Sequence, residues 1–182
     1  MGHGPLDRVR ESWVWLLAPV VVGIVTPSLV IFTLQVLVGG RSPDTAIQDI
    51  AGRQFAAGHN LFLLAVWGLI PFLVLSVLLV VQPASVPRSR IACLSIFGLL
   101  GILGLMVPSH WAVWAPAYNG GRMSSTSVVV FIPLPFLCLV TMLPGLGIGW
   151  LVSKLLWVHA AAPSSGGGAA PVAAADQPRD GL

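Results

Sequence analysis

Long apolar runs separated by short polar segments form the pattern of this chain. The first run, residues 13–38, contains no charged residue. A helix of that length, at about 1.5 Å per residue, exceeds the roughly 30 Å hydrocarbon thickness of a bilayer. Three further runs predict spans at about residues 61–81, 91–107 and 127–153. The pattern therefore predicts an all-α integral membrane protein built as a four-transmembrane-helix bundle.

Polar residues mark where these helices end. Two prolines and two arginines within residues 82–90 indicate a short turn, which makes the second and third spans antiparallel neighbours. The Ser-Ser-Thr-Ser run at 124–127 has hydroxyls suited to cap the fourth helix. We expect an N-terminal segment at residues 1–12, a membrane domain at 13–159 and a disordered tail at 160–182.

The first run has a second interpretation, as the core of a cleaved signal peptide, because Arg8 and Arg10 precede it. Signal-peptide cores have about 7–15 apolar residues, and this run is longer. It also lacks a clear Ala-x-Ala exit. A retained anchor is therefore favoured.

Two segments on the predicted outer side have patterns of their own. Ser42-Pro43-Asp44 offers a capping hydroxyl, a proline for the first helical position and an acid for the N-terminal dipole. It predicts a short amphipathic helix over about residues 43–57, lying on the membrane surface or capping the bundle. Residues 108–126, rich in aromatic side chains, are expected to sit at the headgroup level and to turn back tightly.

Composition excludes a soluble fold. The 182 residues are 56% hydrophobic and 8% charged, whereas soluble domains carry about 25% charged residues. The net charge of +3 comes from scattered basic residues. These form no patch for a phosphate backbone, so no nucleic-acid partner is expected. The lipid bilayer is the expected surrounding of the chain.

Basic residues also orient the bundle. With the N-terminus inside, the inner side collects Arg8, Arg10, Arg88, Arg90 and Lys154, and the outer side collects Arg41, Arg53 and Arg122. This narrow excess predicts that both termini are cytoplasmic, N-in and C-in. Abundant Ala, Gly, Pro and Arg, without eukaryotic sorting signals, favour a bacterial inner membrane.

Two glycine faces are candidates for helix packing. Gly98, Gly101 and Gly104 line one side of the third span, and Gly145 and Gly149 form a Gly-x-x-x-Gly in the fourth. Small residues let helix backbones approach closely in a membrane. We expect these faces to pack within one chain, with packing against another subunit as the weaker alternative.

Prolines interrupt several of the predicted spans. Pro133 and Pro135, with Thr141 nearby, are the strongest candidates for a broken helix that lines a substrate path. Each proline removes a backbone hydrogen bond and frees carbonyl groups that need partners. A structural kink is the favoured interpretation, and the substrate path is the alternative.

Polar residues from two outer segments form a possible cluster: Arg53, His59, Asn60, His110, Tyr118 and Arg122. Two histidines without a nearby carboxylate make a weak metal site, so no metal is expected. Histidines at a wet interface are the favoured interpretation. No ionisable residue lies inside a predicted span, which disfavours an ion-coupled transporter.

No motif for catalysis or for cofactor binding occurs, so neither an enzyme nor a cofactor is expected. The isolated Cys93 and Cys138 are interpreted as small buried hydrophobes. The sequence favours a non-catalytic membrane protein that acts through helix packing, as a small accessory subunit of a membrane complex or as a homo-oligomer. The alternative is a small-molecule or lipid transporter that uses the proline-broken fourth helix. A metal-handling protein or enzyme using His59 and His110 ranks third.

Overall fold

The chain is α-helical in the computed structural model, which describes residues 5–56, 60–83, 85–121 and 129–161. Its helices in these ranges are α1 Pro5–Leu37, α2 Pro43–Arg53, α3 Leu61–Gly68, α4 Ile70–Val80, α5 Arg88–Tyr118 and α6 Leu134–Ala161. No strand occurs in them. Four stretches are long and apolar enough to cross a membrane: Trp13–Leu37, Leu61–Val80, Arg88–Tyr118 and Leu134–Leu156. The predicted all-α class with four long apolar helices is confirmed.

Prolines are accommodated inside these helices without ending them. Pro19 and Pro27 lie within α1. The hydroxyl of Thr26 donates to the carbonyl oxygen of Val22 at 2.7 Å, which adds a side-chain bond to the ladder beside Pro27. Between α3 and α4 the chain bends at Leu69, immediately before Pro71 enters the first turn of α4. A helical N-terminus is where a proline costs least, because its missing N–H has no partner there.

The third long helix extends beyond its predicted end. We expected it to stop at residue 107, before Pro108, but α5 continues to Tyr118 with Pro108 and Pro116 inside it. The continuation is stabilised by packing, since Val113 and Trp114 are buried in the core. Burial of apolar side chains contributes more than the hydrogen bond that one proline removes. The segment expected to turn back at the headgroup level is therefore helical as far as Tyr118.

The fourth long helix begins later than predicted. We expected a start at residue 127, whereas α6 begins at Leu134 after a 3₁₀ turn at residues 129–131. The Ser-Ser-Thr-Ser run lies outside the described residues. At the other end α6 continues to Ala161, so the first residues of the expected tail are helical, and the rest of the tail lies outside the description.

The long helices alternate in direction. The hydroxyl of Ser76 in α4 donates to the carbonyl oxygen of Leu16 near the start of α1, at 2.9 Å. The start of α5 lies beside the end of α6, where Arg90 is 5.9 Å from the ring centroid of Trp150. Lys154 lies over the same ring at 3.8 Å. We call this the basic end of the bundle, defined by Arg90, Trp150 and Lys154, and the opposite one the α2 end.

The short helix α2 packs against the last third of α1. Ser42 caps it by accepting a hydrogen bond from the Thr45 backbone N–H at 3.4 Å, and Ala46 is fully buried. The helix ends at Arg53, earlier than the predicted residue 57. Ile50 packs towards the core, while Ile47 and Phe55 are exposed.

The core lies between α1, α4, α5 and α6. Its fully buried members come from different helices: Leu34, Phe72, Leu75, Ile102 and Cys138. The most extensive contact joins α5 to α6, and the next joins α1 to α4. The bundle therefore consists of two closely packed helix pairs that share one apolar centre.

Candidate functional site

A half-buried carboxylate cluster, centred on Asp49, forms at the α2 end. The Gln35 amide nitrogen donates to Asp49 Oδ2 at 2.7 Å and to the Tyr118 hydroxyl at 3.3 Å. The same carboxylate oxygen pairs with Arg53 Nε at 3.0 Å and lies 3.6 Å from Arg41 Nη1. Gln35 is fully buried. The Gln35 amide nitrogen therefore joins α1 to both α2 and α5.

The expected outer cluster assembles only in part. Arg53 and Tyr118 both belong to the carboxylate cluster, which connects them through Gln35 and Asp49. Asn60 acts elsewhere, because its side-chain oxygen accepts the Leu63 backbone N–H at 2.8 Å and caps α3. His59 and Arg122 lie outside the described residues.

Sequence analysis missed the residues at the centre of this cluster. The sequence patterns singled out neither Gln35 nor Asp49 as a candidate site residue. Two signals were available. An amide in the last third of an otherwise apolar helix needs a buried partner, and a short acidic helix directly follows in the chain.

His110 lies deeper than expected. Because α5 continues to Tyr118, His110 falls inside an apolar helix and is 1% exposed. No ionisable residue was expected inside a predicted span, but the third span was predicted to end at residue 107, and the longer helix α5 includes His110. Its Nδ1 is 2.9 Å from the Met106 carbonyl oxygen, and its ring lies 4.8 Å from that of Phe131.

An aromatic cluster surrounds this histidine. Trp114, one turn further along α5, is 6.5 Å from the ring of Phe131. Phe131 is held in place from α3, because the indole nitrogen of Trp67 donates to its carbonyl oxygen at 3.1 Å. The 3₁₀ turn before α6 therefore presents one phenyl ring to both His110 and Trp114.

Metal binding finds no support among the described residues, which contain no group of three His, Cys, Asp or Glu side chains placed to hold an ion. The Asp49 carboxylate is already paired with two arginines. Cys138 is fully buried and Cys93 is half-buried, and both are free thiols. The chemistry that these groups offer is hydrogen bonding and ion pairing.

The glycine faces meet inside the chain. A Cβ atom at Gly101 would lie 2.5 Å from the Thr141 carbonyl oxygen, and one at Gly149 would lie 2.8 Å from that of Cys93. A Cβ at Gly145 would overlap the Phe97 carbonyl oxygen. These are backbone atoms, which cannot rotate away. The three glycines therefore set the close approach of α5 to α6.

Two other glycines differ in their surroundings. A Cβ at Gly98 would lie 2.7 Å from Leu75 Cδ1, so this residue makes room for a side chain of α4. Gly104, expected on the same packing face, is exposed, and nothing lies within 4 Å of a Cβ built there. The packing face of α5 thus includes Gly98 and Gly101, but not Gly104.

The proline pair does not interrupt a helix. Pro133 precedes α6 and Pro135 lies in its first turn, so both occur where the helix begins. The Pro133 carbonyl oxygen accepts the backbone N–H of Phe136 at 3.1 Å. The Thr141 hydroxyl donates to the Cys138 carbonyl oxygen at 3.1 Å. The expected broken helix at Pro133 and Pro135 is therefore a helix start.

A lateral groove runs between α1 and α5 and has a volume of about 430 Å³. Its lining is apolar apart from Thr26 and Thr33, whose hydroxyls donate to the backbone of their own helix. Val25 and Leu29 line it and are 48% and 56% exposed, so the groove opens on the outer surface of the bundle. It offers a place for an apolar chain or side chains.

No protein-family model matches the chain, and neither the curated proteins nor the solved structures contain a match. What can be inferred about function therefore comes from the geometry of this chain alone.

Proposed function

We propose that the protein is a non-catalytic, multi-pass membrane protein that acts through helix packing, as a small accessory subunit of a membrane complex or as a homo-oligomer. Four apolar helices are consistent with a multi-pass membrane protein. The basic end would face the cytoplasm, with both ends of the chain, by the positive-inside rule. A bacterial inner membrane remains the proposed location.

The groove between α1 and α5 is the observation that supports a packing role. The close-packing glycines Gly101, Gly145 and Gly149 already lie in the contact between α5 and α6. A second helix must therefore pack elsewhere. The groove is apolar, and its two threonine hydroxyls are already bonded, so it suits the apolar side chains of another transmembrane helix.

Site-specific photo-crosslinking in the native membrane tests this role. A photoreactive phenylalanine analogue is placed at Val25 or Leu29, which line the groove, and at Leu143 of α6 as a control. Leu143 is 62% exposed and does not line the groove. We expect one discrete protein adduct from each groove position and none from the control. Mass spectrometry of the adduct then separates a second copy of this chain from another subunit.

Two results would contradict the proposal. One is an adduct pattern at Val25 and Leu29 that contains lipid alone. The other is an equal yield of protein adducts at Leu143, which would indicate random collision. Gentle extraction followed by light scattering provides an independent mass, which must exceed that of one chain.

The transporter alternative has lost the feature on which it was based. It assumed a fourth helix broken at Pro133 and Pro135, whereas both lie at the start of α6. Pro144 is inside α6, and the helix continues beyond it to Ala161. We therefore keep the packing role as the proposed function.

A further inference from the structure

Three buried polar atoms on or beside one face of α5 have no hydrogen-bond partner among the described residues. They are Gln35 Oε1, His110 Nε2 and Trp114 Nε1. Their side chains are 0%, 1% and 6% exposed. Buried polar groups in native proteins are nearly always paired, because an unpaired one loses its hydration without compensation. Three in one region therefore indicate that a polar partner, a bound water or a ligand, completes their hydrogen bonds.

The hydrogen-bonding character of each atom follows from its neighbours. His110 Nδ1 faces the Met106 carbonyl oxygen, which only accepts, so Nδ1 carries the hydrogen and Nε2 of the neutral ring is an acceptor. An indole nitrogen is a donor only. The site on α5 therefore presents one acceptor from His110 and one donor from Trp114.

The third atom is an acceptor in a fixed orientation. The Gln35 amide nitrogen donates to Asp49 and Tyr118. A flipped amide would bring Oε1 against the Asp49 carboxylate, where two acceptors would face each other. Oε1 is therefore the unpartnered atom. Tyr118 lies one turn beyond Trp114, and its hydroxyl contacts the Gln35 amide nitrogen, so Gln35 lies on the α2 side of Trp114.

Spacing on the helix places the side chains of His110 and Trp114 next to each other on α5. Side chains four residues apart on a helix have Cβ atoms about 5–6 Å apart. One oxygen can bond both ring nitrogens when these lie within about 5.8 Å of each other, which is twice a hydrogen-bond length of about 2.9 Å. A hydroxyl group is suited to this, because it donates one hydrogen bond and accepts others. The ring of Phe131 packs against both side chains and closes the site with an apolar wall.

We propose that His110, Trp114 and Phe131 form a buried binding site for a hydroxyl group. The hydroxyl donates to His110 Nε2 and accepts from Trp114 Nε1. Gln35 Oε1 accepts a second donor at the α2 end of the site. Water and small aromatic alcohols share this chemistry, and the aromatic wall accommodates the ring of the latter.

Nuclear magnetic resonance of the indole N–H groups tests the site in the ¹⁵N-labelled full chain in lipid nanodiscs. Resonances are assigned by Trp→Phe substitution. We expect the Trp114 indole hydrogen to show a through-space signal to a water or hydroxyl proton despite its burial. Trp67 is the matched control, because its indole hydrogen is bonded to a backbone carbonyl oxygen. We expect substitutions at the site to leave the Trp67 indole signal unchanged.

His110→Phe provides the decisive variant. The ring is kept and the acceptor is removed, so the Trp114 signal to the hydroxyl proton is expected to disappear while that of Trp67 stays. Loss of the helical signal by circular dichroism would reveal a misfolded variant, and Trp114→Phe then serves with the His110 ring nitrogen as the reporter. Absence of any water or hydroxyl contact to Trp114 and His110 in the unmodified chain overturns the proposal.

Added probes identify the source of the hydroxyl. Phenol supplies an aromatic hydroxyl, and anisole has the same ring without the donor. Contacts from Trp114 to phenol ring protons, but not to anisole, identify an aromatic alcohol as a ligand. A water contact that phenol leaves unchanged identifies water as the occupant. Equal binding of phenol and anisole overturns the proposal, because the site would then recognise only an apolar ring.

Discussion

Replacement of Gly145 by alanine is the sharpest test of how α5 and α6 pack. A Cβ at Gly145 would overlap the Phe97 carbonyl oxygen, while one at Gly147, two residues away on the exposed side, would meet nothing within 4 Å. Both substitutions change the same residue type in the same helix. The greater helix propensity of alanine, about 1 kcal/mol, therefore cancels in their difference.

The size of the effect follows from the clash. At the neighbouring Gly101 a Cβ would lie 2.5 Å from the Thr141 carbonyl oxygen, against an ordinary C···O separation of about 3.3 Å, so the helices must separate locally by about 0.8 Å. Overpacking of this kind costs about 1–3 kcal/mol. The carbonyl belongs to a helix backbone and cannot rotate away. We therefore expect Gly145→Ala to lower the free energy of unfolding by about 3 kcal/mol, in the upper part of that range.

Thermal unfolding of the purified chain in mild detergent provides the measurement. For a protein of this size 1 kcal/mol corresponds to a shift in Tm of about 2–4 °C. Gly145→Ala is expected to melt about 6–12 °C below Gly147→Ala. A Cβ at Gly145 would lie 3.4 Å from Gly101 Cα, so the two sites are neighbours. The double variant Gly101→Ala, Gly145→Ala should therefore lower the free energy of unfolding by less than the two single variants added together. Equal melting temperatures for Gly145→Ala and Gly147→Ala would refute the packing described here.

Two further substitutions test the contacts that join α1 to its neighbours. Asp49→Asn removes the charge that Gln35 and two arginines contact, and it should lower the free energy of unfolding by about 1 kcal/mol. The control Asp44→Asn, at an exposed position, should change the free energy of unfolding by less than about 0.5 kcal/mol. Ser76→Ala removes a buried hydrogen bond between helices and should lower the free energy of unfolding by about 0.6–1 kcal/mol. The control Ser109→Ala loses only a hydrogen bond within its own helix and should leave the free energy of unfolding nearly unchanged. Denaturant titration of each pair measures these differences, and equal losses within a pair would contradict the assigned roles.

Periodicity and apolar run length were sufficient for the fold class. The four long helices occur where the apolar runs predicted them, because run length and low charge are properties of each segment alone. Helix ends were harder to predict. Pro108 was taken as the end of a helix, and Pro133 and Pro135 as a break inside one, because a proline is compatible with either outcome until packing decides.

The residues of the candidate sites could be predicted only where their spacing within one helix places them on one face. Gly101, Gly145 and Gly149 stand out by spacing, and the structure places all three against a neighbouring backbone. Gly104 shares the pattern and lies outside the contact, since a spacing of three residues drifts around the helix. The pairing of Gln35 with Asp49 depends on how α2 folds back onto α1, which no local pattern records.

The long helices differ in length, which has a consequence for the lipids in the proposed membrane location. The 31 residues of α5 correspond to about 46 Å, whereas the 20 residues of Leu61–Val80 correspond to about 30 Å. In the proposed membrane location, a bilayer of uniform thickness would not match both sides, so it would thicken beside α5 or the molecule would tilt. Hydrophobic mismatch of this kind sorts lipids locally. We expect longer acyl chains to collect beside α5 and shorter ones beside α3 and α4.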